Sequence, residues 1–229
     1  MEYSYLKDLT ILIKTFKRPK ALEILLESIK KYYPDIPIIV VDDSSENSEF
    51  GFDIGLSRGR NELVKKCKTK YCAIIEDDCR FTEKTDLDKI LKELIDRDLD
   101  ILQFKIDTAY YGLYEKDDDG VKYVKASRDG LYDFCSNIFV AKTDTLGEYP
   151  WDEELKMGEH FAYFYEHQGK LKIGISDVEI LHCHIDNQDY QPYRSRAVRY
   201  VKQYLVKKGL SHIRDLEGHV YITNEMHEI

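Results

Sequence analysis

The chain has 229 residues, with 34 Lys and Arg against 43 Asp and Glu for a formal charge of −9, which excludes a basic nucleic-acid binder. Its 43% apolar content, with only 12 Gly and 5 Pro, excludes a disordered or low-complexity chain, and the length suits one large domain or a tightly fused pair.

In chain order, the first hundred residues alternate short β-branched runs with segments of helical spacing, the pattern of repeated βα units on a parallel sheet. A strand is predicted over 9–15. Pro19 opens a helix whose Leu22, Leu25, Leu26 and Ile29 share one face, and Pro34 ends it. Residues 36–41 form a near-continuous apolar run that reads as a strand buried on both faces, leading directly into Asp42-Asp43-Ser44-Ser45. Gly55 and Gly59 bracket a turn into a helix over 60–66. A third buried strand, 71–75, ends in Glu76-Asp77-Asp78, and a helix over 87–95 and a strand over 100–106 follow.

The character then changes. Two β-type runs, 110–115 and 121–126, flank an Asp-Asp-Asp-Gly turn and predict a hairpin. A strand over 137–141, a helix over 159–168, a strand over 178–181 and a C-terminal helix over 193–207 complete the reading. The fold class is α/β, a single unit whose regular half, to about residue 107, binds a nucleotide-type ligand and whose less regular half, 108–229, supplies a second substrate site.

The apolar runs fall well short of the roughly 20 residues of a membrane span. Five cysteines, Cys67, Cys72, Cys79, Cys135 and Cys183, form an odd set without a C-x-x-C pair, so neither a disulfide framework nor a zinc knuckle is expected. With no signal-peptide pattern at the start, the expected compartment is a reducing cytoplasm, with peripheral contact to a membrane left open. The 18 tyrosines suit a hydroxyl-rich ligand.

In open α/β sheets ligands sit beyond the carboxyl ends of the strands, and three polar clusters fall there: Lys14 to Arg18, Asp42 to Ser44, and Glu76 to Asp78. A carboxylate triplet directly after an apolar strand repels itself unless a cation joins it. The chain has no G-x-G-x-x-G after its first strand and no G-x-x-x-x-G-K-[ST], so phosphate must be held otherwise. Mg²⁺ or Mn²⁺ on carboxylates, bridging two oxygens of a diphosphate, meets that need.

The residues resemble the GT-A-fold glycosyltransferases of the family 2 type. The resemblance rests on T-I-L-I-K-T-F-K-R-P, I-I-V-V-D-D-S-S, G-L-S-R-G-R-N, E-D-D after Y-C-A-I-I, W-D-E-E-L-K-M-G-E-H and L-H-C-H, and covers roughly residues 9 to 184. The first three motifs most resemble the β-1,4-N-acetylgalactosaminyltransferase branch, and small bacterial and viral glycan-pathway transferases share them. The resemblance implies a GT-A mixed sheet and a metal-dependent, inverting transfer of a sugar from a nucleotide diphosphate, most simply a UDP-sugar, to a hydroxyl of a glycan or lipid-linked acceptor. It implies that Thr15 and Arg18 line the base and phosphate pocket, that Asp43 accepts a hydrogen bond from uracil, and that Arg60 reaches the base or diphosphate. It further implies that Glu76 or Asp77 faces the ribose and donor sugar and that Asp78 binds Mn²⁺ or Mg²⁺.

The sequence departs from the family at the catalytic base. Relatives often read G-E-D where this chain has Gly158-Glu159-His160. Glu159 is the first choice of base and His160 the second, while capping of its own helix or pairing with Lys156 is the structural alternative for Glu159. His182 is the favoured histidine for the metal, with His184, Asp186 and Asp189 as substitutes. Trp151 either stacks on an acceptor sugar or belongs to the core. Arg194, Arg196, Arg199, Lys202, Lys207 and Lys208 oppose an apolar stripe of Ala197, Val198, Val201 and Leu205. That helix closes over a diphosphate, lies against anionic lipid, or is a solvated face packed on its other side. The rival functions are a sugar nucleotidyltransferase, which normally carries a Gly-rich N-terminal loop absent here, and a non-catalytic nucleotide-sugar or glycan-binding module.

Overall fold

In the computed structural model, which describes residues 4–223 apart from 109, 184, 186 and 187, a six-stranded sheet carries the chain. β1 (Leu9–Thr15) is buried over its whole length. α1 (Pro19–Tyr32) starts with Pro19 in its first turn and returns the chain to β2 (Ile38–Asp42), parallel to β1. α2 (Leu56–Lys66) precedes β3 (Tyr71–Glu76), which pairs with the other side of β1. After the two-residue β4 (Cys79–Arg80) come α3 (Leu87–Asp96), capped by the Asp86 carboxylate on the Lys89 N–H, and β5 (Ile101–Lys105).

The second half adds a hairpin, β6 (Tyr111–Asp117) and β7 (Gly120–Val124), then β8 (Phe134–Cys135), β9 (Phe139–Lys142), α4 (Thr143–Glu148) and α5 (Glu159–Glu166). β10 (Ile173–Glu179), β11 (Leu181–His182), the short α6 (Gln191–Arg194), α7 (Ala197–Lys208), β12 (His212–Arg214) and β13 (Val220–Ile222) close the order. The main sheet runs β10-β5-β9-β3-β1-β2, and β9 alone is antiparallel to its neighbours. The sheet is therefore mixed, and β9 and β10 knit the second half of the chain into it. A smaller sheet, β13-β12-β7-β6-β8, stands beside it.

Successive residues of a strand point to opposite faces, and the main sheet is covered on both. Ile11 and Ile13 join α1 and α3 in one core, whereas Leu12 faces a second core with α2, α5, α7 and the aromatic residues of β6 to β8.

Several boundaries differ from the sequence reading for identifiable reasons. β2 is the edge strand and only Val41 of it is fully buried, because nothing pairs beyond it; its apolar run imitates a central strand. α2 begins at Leu56, so Gly59 lies inside a helix. A Cβ there would come within 2.4 Å of the Lys14 side chain, which uses that space. The hairpin turn is Asp118-Asp119, with Asp118 at φ +53°. The strand predicted over 178–181 is the end of β10 followed by β11, and the C-terminal helix is split into α6 and α7. β12 and β13 carry no signal that the sequence reading used. All five cysteines are free thiols.

Candidate active site

Because β9 runs against its neighbours, its beginning lies at the same edge as the ends of β1 and β3. There a cleft of about 750 Å³ opens, lined by Thr15, Arg18, Arg60, Glu76, Asp77, Asp78, Asn137, Glu159, His160 and His182 among others. The residues expected first for the donor, the base and the cation are brought to this one place, with one exception. Asp43 is the exception: it lies buried beneath the cleft, paired with Lys14 and accepting the Gly55 N–H at 3.3 Å. Lys14 also donates to the Thr15 carbonyl at 2.8 Å, and burial, partly offset by Asp43, holds its pKa below the usual lysine value. A lysine inside an otherwise apolar strand was the available sequence signal for this pair.

The three acids after β3 point in different directions. Asp77 accepts hydrogen bonds from Thr15 Oγ1 and from Arg18 Nη1, both at 2.7 Å. Burial raises its carboxyl to about 6 against the pull of Arg18 and Thr15. Asp78 accepts from Arg18 Nη2 at 2.6 Å and has His182 Nε2 at 3.3 Å. Burial opposes its ionised form, but His182 and Arg18 outweigh burial and hold the carboxyl well below the ordinary range. Glu76 lies 3.6 Å from Arg60 Nη2. Desolvation by the surrounding side chains raises its carboxyl to about 7, Arg60 opposing the rise and Asp78 adding to it.

Long-range pairing brings His182 beside the acids. β11 pairs antiparallel with β4, setting His182 opposite Cys79, and the Cys183 N–H donates to the Asp78 carbonyl at 2.8 Å. His184 and Asp186 lie outside the described residues. Ligand atoms of Glu76, Asp78 and His182 all fall within 4.8 Å of one another, close enough to share one ion. Two carboxylates and an imidazole form a donor set that suits Mn²⁺, and Glu76 enters that set although the sequence reading gave it to the donor sugar. Hydrogen bonding of its imidazole to the Asp78 carboxylate raises the pKa of His182, so a cation here competes with both His182 and Arg18 for Asp78.

On the other side, Gly158 adopts φ +69° and begins α5; a Cβ there would meet the Ala197 carbonyl at 2.9 Å, so only glycine lets α7 pack this close. The turn sends Glu159 inward, where it is 2% exposed and forms an ion pair with Arg60, itself 3% exposed. Glu159 is therefore neither a helix cap nor the partner of Lys156, which pairs with Asp53 instead, and Arg60 is not a helix-surface charge. Asn137 Nδ2 lies 3.4 Å from the same carboxylate. His160 donates Nε2–H to the Cys135 carbonyl and packs between Tyr110 and Phe164. Burial lowers its pKa to about 4 despite the neighbouring Glu159.

Two surface readings are corrected. Trp151 is 2% exposed and stacks on Tyr163 with centroids 4.3 Å apart, so it is core and not an acceptor platform. It backs the Arg60 guanidinium at 5.8 Å. In α7 the stripe is not wholly covered, since Val198 is exposed, while several cations are already engaged: Arg196 with Asp53, Lys207 with Asp152 and Glu154, and Lys208 with Glu166. Arg194 lines the cleft. Among the described residues no helix is long and apolar enough to cross a membrane.

A mixed sheet with a carboxylate cluster at its strand ends and a cleft over it defines the GT-A architecture of glycosyltransferases. Solved structures agree on the fold: TarS 1–349 of S. aureus in complex with UDP-GlcNAc has a TM-score of 0.62 at 13% identity, over 87% of this chain and 66% of that one. The mannosyltransferase PcManGT from Pyrobaculum calidifontis, in complex with GDP-Man and Mn²⁺, has a TM-score of 0.54 at 11% identity, over 88% of this chain and 64% of that one. No family model matches the chain. By sequence it is 34% identical over 188 residues to mouse beta-1,4 N-acetylgalactosaminyltransferase 2, covering 72% of this chain and 37% of that protein. It is 28% identical over 213 residues to human beta-1,4 N-acetylgalactosaminyltransferase 1, covering 80% and 40%. The chain thus spans well under half the length of these curated relatives. It has the fold of the GT-A glycosyltransferases and is similar in sequence to part of the beta-1,4 N-acetylgalactosaminyltransferases.

Proposed function

We propose that the chain transfers a sugar from a nucleotide diphosphate, a UDP-sugar in the first instance, to a hydroxyl of a glycan or lipid-linked acceptor, with inversion and with a divalent cation. The observation that carries this is the convergence of Glu76, Asp78 and His182 with Arg18 and the Arg60–Glu159 pair in one cleft. The UDP-GlcNAc and GDP-Man held by the two structural relatives support a nucleotide-sugar donor. Residues to about 107 hold the nucleotide-sugar in this reading, and the later half supplies the acceptor side.

Glu76, Asp78 and His182 would hold the cation, which when bound supplies positive charge to the departing diphosphate. Arg18, released from Asp78, is placed to hold a phosphate oxygen, and Thr15 and Asp77 orient the adjoining edge. Asp43 acts from below, through Lys14 and the Gly55 N–H, by fixing the strand ends and the start of α2. Glu159 takes the proton of the acceptor hydroxyl as its oxygen bonds to the anomeric carbon; the bond from that carbon to the diphosphate breaks, and its electron pair leaves with the diphosphate. Glu159 is preferred to His160, whose Nε2 is committed to Cys135 and whose basicity burial has lowered.

The test is thermal-shift or calorimetric binding of UDP, GDP, CMP and dTDP, each with and without Mn²⁺. Stabilisation by UDP that depends on Mn²⁺ is expected. Silence toward every nucleotide overturns the donor and cation assignments together and favours a glycan-binding module.

A further inference from the structure

The turn linking β8 to β9 grips both candidate proton acceptors. The Cys135 carbonyl holds His160, and two residues on, Asn137 Nδ2 faces Glu159. An ionised carboxylate only accepts hydrogen bonds, so that contact sets the amide orientation and turns Oδ1 elsewhere. Asn137 is 6% exposed and lines the cleft, yet its Oδ1 has no hydrogen-bond partner, and neither has the buried Oγ of Ser136 beside it. A buried amide oxygen without a donor is costly in a folded chain and calls for one. The pairing of β9 with β3 ends at Ile74 opposite Phe139; carried two residues further, that register sets Asn137 level with Glu76. The orphan oxygen thus belongs to the strand edge of the cation cluster, on the side of Glu159.

We infer that Asn137 reads the transferred sugar: its Oδ1 accepts a hydrogen bond from a hydroxyl or amide N–H of the donor sugar while its Nδ2 holds Glu159 in place. The inference rests on the nucleotide-sugar reading above and adds the residue that recognises the sugar. The donor sugar is favoured over the acceptor because the group joined to the diphosphate lies beside Glu76.

Calorimetry with UDP, UDP-glucose, UDP-galactose and their N-acetylamino forms, in Mn²⁺, tests it on the wild type, Asn137→Ala and, should that variant fold poorly, Asn137→Ser. The wild type is expected to bind one sugar nucleotide more tightly than UDP. The variants are expected to lose about ten-fold of that preference, the scale of one hydrogen bond, with UDP affinity unchanged. Equal loss for UDP and the sugar nucleotides makes Asn137 merely structural and overturns the inference. A wild-type preference that both variants retain overturns it alone, leaving the transferase reading intact. A wild type that binds no nucleotide overturns both.

Discussion

Along the ends of β1 and β3, the charged side chains are balanced by opposite charges: Arg18 by Asp77 and Asp78, Lys14 by Asp43 and Glu76 by Arg60, with His182 against Asp78. Across the cleft, Glu159 at the start of α5 forms a buried ion pair with Arg60 of α2 among neutral and aromatic groups, and the turn before β9 leaves uncharged polar atoms of Ser136 and Asn137 over. The first side is suited to a ligand that brings its own charge and rearranges the ion pairs. The second suits an uncharged polyol, which has hydroxyls to offer and no charge to neutralise. Under the proposed function that contrast would let one cleft take a diphosphate and a sugar at once, since desolvated charges are tolerable only where partners are close.

The contrast is broken most severely at Asp78. Asp78→Ala removes a proposed cation ligand and leaves Arg18 half paired, so Mn²⁺-dependent stabilisation by UDP should vanish and transfer with it; a normal Mn²⁺ response by calorimetry would remove Asp78 from the proposed cation site. On the opposite side, Glu159→Gln should lower the turnover rate by about 10²- to 10⁴-fold, the range for a positioned general base. UDP affinity should change little, and a loss confined to nucleotide binding would instead make Glu159 a support for Arg60.

The smallest effect is on stability. His160 titrates near 4 in the fold against about 6.5 in the unfolded chain. Between those values the unfolded state binds the extra proton, so stability is complete above about pH 6.5 and falls as the pH drops toward 4, by on the order of 3 kcal/mol over the window. Urea midpoints of the wild type and His160→Gln, compared across that range, isolate the imidazole from the nearby carboxyls. Parallel pH profiles would show that His160 stays protonatable in the fold.

Much of this was legible in the chain itself. The βα alternation, the hairpin and the acids after the apolar 71–75 run are local patterns, and strand geometry alone places their polar ends at one edge. Arg60 and Glu159 were each noticed, but their pairing joins positions 99 apart, and nothing in a local window reports it. The position of His182 beside Asp78 likewise comes from β11 pairing with β4, and the placement of Asn137 from the reversed direction of β9.

The sequence by itself determined the longer elements, the class of fold and which residue types would gather at the strand ends, because hydrophobic period and turn chemistry act over a few neighbours. Only the tertiary structure decided which charge meets which. It turned Trp151 inward and made β2 an edge. It sank Asp43 beneath the cleft, set Glu76 beside Asp78 and His182 and left the Asn137 oxygen without a donor. Those outcomes depend on strand order and register, where a shift of one residue exchanges the faces of a strand, and they become defined only when distant segments pack.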